Sequence, residues 1–133
     1  MSDNNELRTE NQYCRVKLQN ATGYDLELDS NELEWGKFTE GPIGLLANGT
    51  SQTLFVSKGR SGSPSGTKGD CAYRVGNTGV ILKLSWDCPY GSPVSTPDAK
   101  FSHTTTPGDR FVVDGKSGTG KGVVKADLVI TNK

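Results

Sequence analysis

The sequence has a low apolar content and no long apolar segment. Hydrophobic residues occupy 32% of the 133 positions, and no apolar run approaches the roughly 18 residues that a membrane-spanning helix needs. Residues 1–11 are polar where a secretion signal would need a hydrophobic stretch. These absences predict a single small domain, made in the cytosol as a soluble protein, and leave release by a non-classical route open.

The sequence also lacks an excess of charge of either sign. Lysine plus arginine and aspartate plus glutamate each number 15, so the formal net charge is zero. A nucleic-acid-binding protein usually carries a strong basic excess. The balance therefore argues against a nucleic acid partner and against attachment to a membrane by charge alone.

Residues that bind metals or perform catalysis are few. Cys14, Cys71 and Cys88 are an odd number at wide spacing, which argues against a disulfide framework and a paired-cysteine zinc site. We expect free, mostly buried thiols. The single histidine, His103, lies in a serine and threonine stretch and is interpreted as a solvated surface residue. The sequence predicts no enzyme, no metal and no cofactor.

Short alternating segments separated by turn residues dominate what is present. Cys14, Val16 and Leu18 alternate with Arg15 and Lys17, which is typical of a strand with one buried face. The predicted strands are residues 13–19, 25–29, 32–38, 52–57, 71–75, 80–86, 99–105, 110–113 and 123–131. Each strand has one apolar row to bury, so the pattern predicts an all-β fold, a two-sheet antiparallel sandwich.

The remaining segments are predicted to be a tail and loops. Residues 1–12 are polar and are predicted to form a flexible N-terminal tail, with the domain over residues 13–133. The glycine- and serine-rich segments 58–69 and 89–97 are predicted to be long loops, and long loops on a rigid scaffold often carry function.

The segment 115–122, GKSGTGKG, resembles a phosphate-binding loop. Lys121 is in register, but Gly122 stands where the magnesium-binding hydroxyl is required. A β-rich segment follows instead of the helix that such a loop opens. We therefore interpret the segment as a flexible β-hairpin loop.

The segment 84–92, LSWDCPYGS, places aromatic residues where a strand runs into a turn. Tyrosine and tryptophan rings combine an apolar body with a polar edge, which suits them to the interface of a membrane. For Trp35 and Trp86 core packing and a site role are equally favoured. Tyr90 is predicted to be exposed and functional.

This segment resembles a known family. SWDCPYGS is similar to the W-D-C-P-[WY]-G-S signature of aegerolysins, and three further segments follow the same family order. They are residues 18–20 (LQN), 34–37 (EWGK) and 59–69 (GRSGSPSGTKG). The resemblance spans roughly residues 13–131.

The resemblance implies an actinoporin-like β-sandwich that binds membrane lipid. Many aegerolysins bind sphingolipid-containing membranes, with or without sterol, and several recruit a larger protein of the membrane-attack-complex/perforin class. The resemblance therefore implies the binding component of a two-component cytolysin or insecticidal toxin, acting at a target-cell membrane. The alternative is a soluble lectin-like sandwich in which the same rings stack on sugars.

The resemblance also suggests how single residues contribute. Trp35, Trp86 and Tyr90 are expected to contact or border the lipid, with Tyr13 as a fourth aromatic residue. Asp87 accepts a hydrogen bond from the lipid or fixes its turn.

The segment 58–69 is expected to flank the headgroup pocket. In this segment Arg60 pairs with phosphate or braces the loop. Ser65 and Pro93 stand where some sphingomyelin-binding relatives carry an acidic residue and a lysine. These two differences leave the identity of the lipid open.

Overall fold

The computed structural model describes residues 12–60, 66–91 and 97–133, and ten strands make up its regular structure. They are β1 (Tyr13–Ala21), β2 (Leu26–Trp35), β3 (Lys37–Glu40), β4 (Leu45–Leu46), β5 (Ser51–Lys58), β6 (Thr67–Val75), β7 (Val80–Cys88), β8 (Lys100–Thr106), β9 (Phe111–Gly120) and β10 (Val123–Asn132). The predicted tail lies almost wholly outside the described residues. The described residues contain no helix long and apolar enough to cross a membrane.

The strands form two five-stranded sheets. The first sheet has the order β3-β5-β1-β10-β9 and the second has the order β4-β2-β6-β7-β8. The predicted two-sheet sandwich is confirmed. One pair departs from the antiparallel prediction, because β1 and β10 pair in parallel. These strands are far apart in sequence, so no short hairpin forces them to be antiparallel.

Alternating apolar residues fill the space between the sheets. Cys14, Val16 and Leu18 of β1 are fully buried, and they face the buried row of β7 that includes Leu82 and Leu84. The outward residues of β1 are exposed or half-buried, as the period-two pattern predicted. The thiols of Cys14, Cys71 and Cys88 are free and buried, which confirms the sequence-based expectation.

Burial also changes the acidity of the thiols. It raises the pKa of Cys71 from its ordinary 9.0 to about 12, because a thiolate is poorly solvated in an apolar core. Burial likewise raises the pKa of Cys14. Both thiols are therefore in the neutral form at physiological pH.

The predicted strand 32–38 is wrong in its boundaries. Gly36 divides it, with a φ of +95°, a conformation that residues other than glycine rarely adopt. Trp35 ends β2 in the second sheet and Lys37 begins β3 in the first sheet. Gly36 is therefore the point at which the chain crosses between the sheets.

The segment that resembles a phosphate loop belongs to a hairpin. Residues 115–120 lie in β9, Lys121 and Gly122 form the turn, and strand β10 follows. The hairpin interpretation is confirmed, although strand β9 is longer than the predicted 110–113. A phosphate loop needs a following helix, and here the next element is a strand.

Candidate functional site

One end of the sandwich gathers most of the predicted site residues, and we call this end the rim. There β1, β3, β6, β8 and β10 begin and β2, β5, β7 and β9 end, as the pairing of Tyr13 with Lys58 and of Thr67 with Cys88 shows. Trp35, Arg60 and Tyr90 follow or end rim strands. The fold thus brings together residues that are far apart in the sequence.

Trp35 is held at the rim by the turn at Gly36. A Cβ on Gly36 would lie 2.6 Å from the Lys58 carbonyl oxygen, so the turn requires glycine. The Trp35 side chain is 45% exposed. The Lys68 Nζ lies 5.3 Å from the centroid of its ring, which is a cation–π contact. Trp35 is therefore a surface residue and not part of the core.

Tyr90 is the second exposed ring, and a close backbone contact holds the turn before it. The Tyr90 side chain is 41% exposed. Gly66 packs so closely that a Cβ would overlap the Cys88 carbonyl oxygen. The end of the glycine-rich loop therefore packs directly against the signature segment that leads to Tyr90.

Trp86 lies between the sheets. It is 2% exposed, its ring centroid is 4.5 Å from that of Phe55, and its Nε1 donates a 3.1 Å hydrogen bond to Thr67 Oγ1. Of the two interpretations of Trp86, core packing describes its position. The expectation was that Trp86 contacts or borders the lipid. Alternation along β7 turns its side chain inward, so direct contact is wrong, whereas Trp86 does lie in the lining of the groove described below.

Arg60 is exposed beside the Trp35 turn. Its Nε donates a 3.3 Å hydrogen bond to the Gly36 carbonyl oxygen, which links the loop to the crossing point between the sheets. The bracing interpretation therefore describes one contact of Arg60. Its positive charge remains at the rim because its partner is neutral.

Asp87 lies on the outer face of the second sheet, in a row with Lys68 and Lys100. Its Oδ1 atom is buried and has no hydrogen-bond partner within the described part of the chain. A buried polar atom without a partner is costly, so such atoms are rare. Asp87 therefore has one unsatisfied carboxylate oxygen among the described residues.

A groove of about 460 Å³ opens beside Asp87 on this face. Its lining includes Glu34, Lys68, Asp70, Asp87, Lys100 and Ser102. Sequence reasoning missed Lys68 and Lys100 as site residues. Only the register of β6, β7 and β8 places them beside Asp87, and that register cannot be deduced from a local motif.

Two predicted site residues stand apart from this group. Tyr13 is half-buried on the outer face of the first sheet, where the Lys125 Nζ lies 5.9 Å from its ring centroid. It is at the rim but on the sheet opposite Trp35. Ser65 and Pro93 lie outside the described residues, so their predicted places in the site stay predictions.

A second groove of about 620 Å³ crosses the outer face of the first sheet. Its lining includes Arg15, Lys17, Gln19 and Asp127, with no aromatic side chain among the described residues. Lipid and sugar sites commonly use aromatic rings. The rim is therefore the stronger candidate.

Comparison with known proteins identifies the family. Residues 11–106 match the family model described as Aegerolysin, which covers most of the chain. The chain belongs to the aegerolysin family. The resemblance predicted from the signature segment is thus confirmed. No match was found among curated proteins.

Solved structures share the fold of this aegerolysin. RahU, crystallised in complex with a TRIS molecule, is 22% identical, with a TM-score of 0.69 over 92% of this chain and 94% of RahU. The lipid binding protein Nakanori is 15% identical, with a TM-score of 0.73 over 97% of this chain and 79% of Nakanori. At these identities the similarity establishes the sandwich fold alone.

Proposed function

We propose that this aegerolysin binds membrane lipid through the rim. The observation that supports this proposal most is the exposure of Trp35 and Tyr90 at the same end of the sandwich, beside Arg60 and the Asp87 groove. When a half-exposed ring enters a bilayer interface, about 100 Å² of its accessible surface is removed from water. This burial contributes about 2 kcal/mol of favourable free energy per ring before the costs of association. That gain suits reversible docking.

The preferred lipid is a sphingolipid, with or without sterol. The groove is lined by the carboxylate residue Asp87 and by the cations Lys68 and Lys100. A headgroup with both a hydrogen-bond donor and a phosphate can use both kinds of group. The family membership and the lipid-binding structural neighbour support this assignment.

Co-sedimentation with liposomes tests the proposal. Vesicles of phosphatidylcholine with sphingomyelin, ceramide phosphoethanolamine or cholesterol form the panel. We expect the Trp35→Ala, Tyr90→Ala double variant to bind at least tenfold more weakly than the wild type. Leu45→Ala is the matched control, because Leu45 is 50% exposed on β4 at the opposite end. No binding to any vesicle, or equal loss in the control, would contradict the proposal.

In this proposal, the chain bound to the membrane recruits a larger perforin-class partner, and the partner perforates the membrane. In this proposal the chain is made in the cytosol, acts at a target-cell membrane and catalyses no reaction. Dye-loaded vesicles should retain their dye with this chain alone and release it when the partner is added. A perforin-like reading frame beside the gene identifies the partner to test. Release of dye by this chain alone would contradict the proposal that the partner perforates the membrane.

A lectin-like role is the second candidate, favoured by one observation. An exposed Trp35 stands near a groove whose lining includes Ser102 and the unpartnered Asp87 Oδ1. Sugars are held by the same combination of a ring face and hydrogen-bonding groups. A glycan array distinguishes the candidates, since selective binding to soluble glycans without vesicle binding favours the lectin.

A further inference from the structure

The zero net charge of the chain conceals an uneven distribution. Among the described residues, six cations and three carboxylates lie within one residue of the rim strand ends or in the rim loops, a net charge of +3. The cations are Lys37, Lys58, Arg60, Lys68, Lys100 and Lys121, and the carboxylates are Glu34, Asp87 and Asp98.

The opposite end of the sandwich has no such excess. There the loops 22–25, 47–50, 76–79 and 107–110 and the strand ends beside them carry three cations and three carboxylates. They are Arg74, Arg110 and Lys133, and Asp25, Glu27 and Asp109. Two carboxylates also hold Arg74, since its guanidinium bonds Asp29 at 2.8 Å and Glu27 at 3.1 Å. The described residues therefore carry a positive excess at the rim and balanced charge at the opposite end.

Three of the rim cations are available to a ligand. Lys37, Lys100 and Lys121 are exposed, and none of them forms an ion pair with a carboxylate in the described part of the chain. Lys68 pairs with Glu34 at 3.6 Å, but both side chains are solvated, at 38% and 61% exposure. Exposed pairs of this kind are weak. The positive charges of Lys37, Lys100 and Lys121 are therefore not neutralised by an ion pair among the described residues.

We propose that the rim docks preferentially on bilayers that carry anionic phospholipid, with its cations attracting the surface and its aromatic rings entering it. This inference rests on the proposed function, because it requires that the rim be the membrane-facing end. It reverses the expectation drawn from net charge, which averages over both ends of the molecule.

The mixed chemistry of the rim favours a membrane over a nucleic acid. Trp35 and Tyr90 are exposed among the cations, which matches a surface with charged headgroups above an apolar layer. Glu34, Asp87 and Asp98 lie between the cations and would repel a continuous phosphate chain. Lipids are mobile and can instead rearrange around each carboxylate.

The expected size of the effect follows from the electrostatics of membranes. A lysine or arginine near an anionic leaflet contributes about a fivefold gain in affinity, and the gain fades beyond a Debye length of about 10 Å at 0.1 M salt. With a net charge of +3, we expect at least a tenfold gain when phosphatidylserine is added to the vesicles. High salt should remove that gain and leave the contribution of the rings.

Matched vesicles test the inference. One set contains phosphatidylcholine, sphingomyelin and cholesterol, and the other set contains phosphatidylserine in addition. The Lys37→Gln, Lys121→Gln variant should lose most of the phosphatidylserine gain, about twenty-fold if the charges act independently. The control is Lys83→Gln, Lys116→Gln, which removes the same charge from exposed positions within β7 and β9. The control should keep the gain.

The outcomes separate this inference from the proposed function. Binding to the neutral vesicles with no gain from phosphatidylserine would overturn the inference and leave the lipid-binding proposal intact. Equal loss in both lysine variants would also overturn it, since total charge and not the rim would then matter. If the protein binds none of the vesicles, both proposals are contradicted. Tighter binding to a single-stranded oligonucleotide than to either vesicle set would assign the rim to nucleic acid.

Discussion

The two ends of the sandwich treat their polar groups in opposite ways. At the end opposite the rim, Asn20 is fully buried and uses its whole amide: Nδ2 donates to the carbonyl oxygens of Tyr24 and Leu46 at 2.7 and 3.0 Å, and Oδ1 accepts from the amide and hydroxyl groups of Thr22. At the rim, Asp87 Oδ1 has no partner among the described residues. The Asn20 amide is therefore fully satisfied within the fold, whereas the Asp87 oxygen is not satisfied by the described residues.

Substitution of the two tryptophans is the test of this comparison with the largest expected effect. Trp86→Ala should lower the free energy of unfolding by about 3–5 kcal/mol, because it empties a large site between the sheets. Trp35→Ala should change it by less than about 1 kcal/mol, because its ring is already half in water. Urea unfolding of both variants, monitored by circular dichroism, measures the difference. Equal losses would mean that the rim ring is part of the core.

Asn20 provides the next largest effect. Asn20→Ala removes the side-chain hydrogen bonds to the Leu46 carbonyl oxygen, the Tyr24 carbonyl oxygen and the Thr22 amide, so we expect a loss of about 2–3 kcal/mol in the free energy of unfolding. Asn48→Ala is the control, since Asn48 is exposed and accepts one bond from the Gly23 amide. A control that lost as much as Asn20→Ala would refute the contrast between buried and exposed amides.

The pH dependence of stability tests whether the core excludes water from the Cys71 thiol. The folded pKa of Cys71, about 12, lies above its ordinary 9.0, so above pH 9 the unfolded state loses a proton that the folded state keeps. The contribution of the protonated Cys71 thiol to the free energy of unfolding is therefore fully present below pH 9. It falls as the pH rises towards 12, by about 1 kcal/mol between pH 9 and 10. Cys71→Ala should show a shallower decline in the same titration. Parallel curves would mean that water reaches the thiol.

Asp87 gives the smallest expected change in stability. Asp87→Ala removes an oxygen, Oδ1, that has no hydrogen-bond partner among the described residues, so the free energy of unfolding should change by less than about 1 kcal/mol. Binding to sphingolipid vesicles should weaken in the same variant if the acceptor serves a headgroup. A large loss of stability with unchanged binding would assign Asp87 to the turn, the alternative that the sequence left open.

The sequence predicted best where structure follows from local alternation. The buried row Cys14, Val16 and Leu18 was predicted because each strand repeats its pattern every two residues.

Features that depend on distant pairing were not predictable. The parallel pairing of β1 with β10 joins the first and last strands, and no local pattern encodes it. The row formed by Lys68, Asp87 and Lys100 depends on the register of three strands. Trp35 and Trp86 have similar sequence contexts, and only the crossing of the chain at Gly36 and the inward face of β7 separate their roles.

Gly36 has a mechanical consequence. Trp35 is hydrogen-bonded into the second sheet through β6, and Lys37 into the first sheet through β5, so two consecutive residues are anchored in different layers. If Trp35 enters a bilayer as proposed, a pull on its ring is shared between two separate ladders of backbone hydrogen bonds. Such load sharing would resist the peeling of a single strand from its sheet.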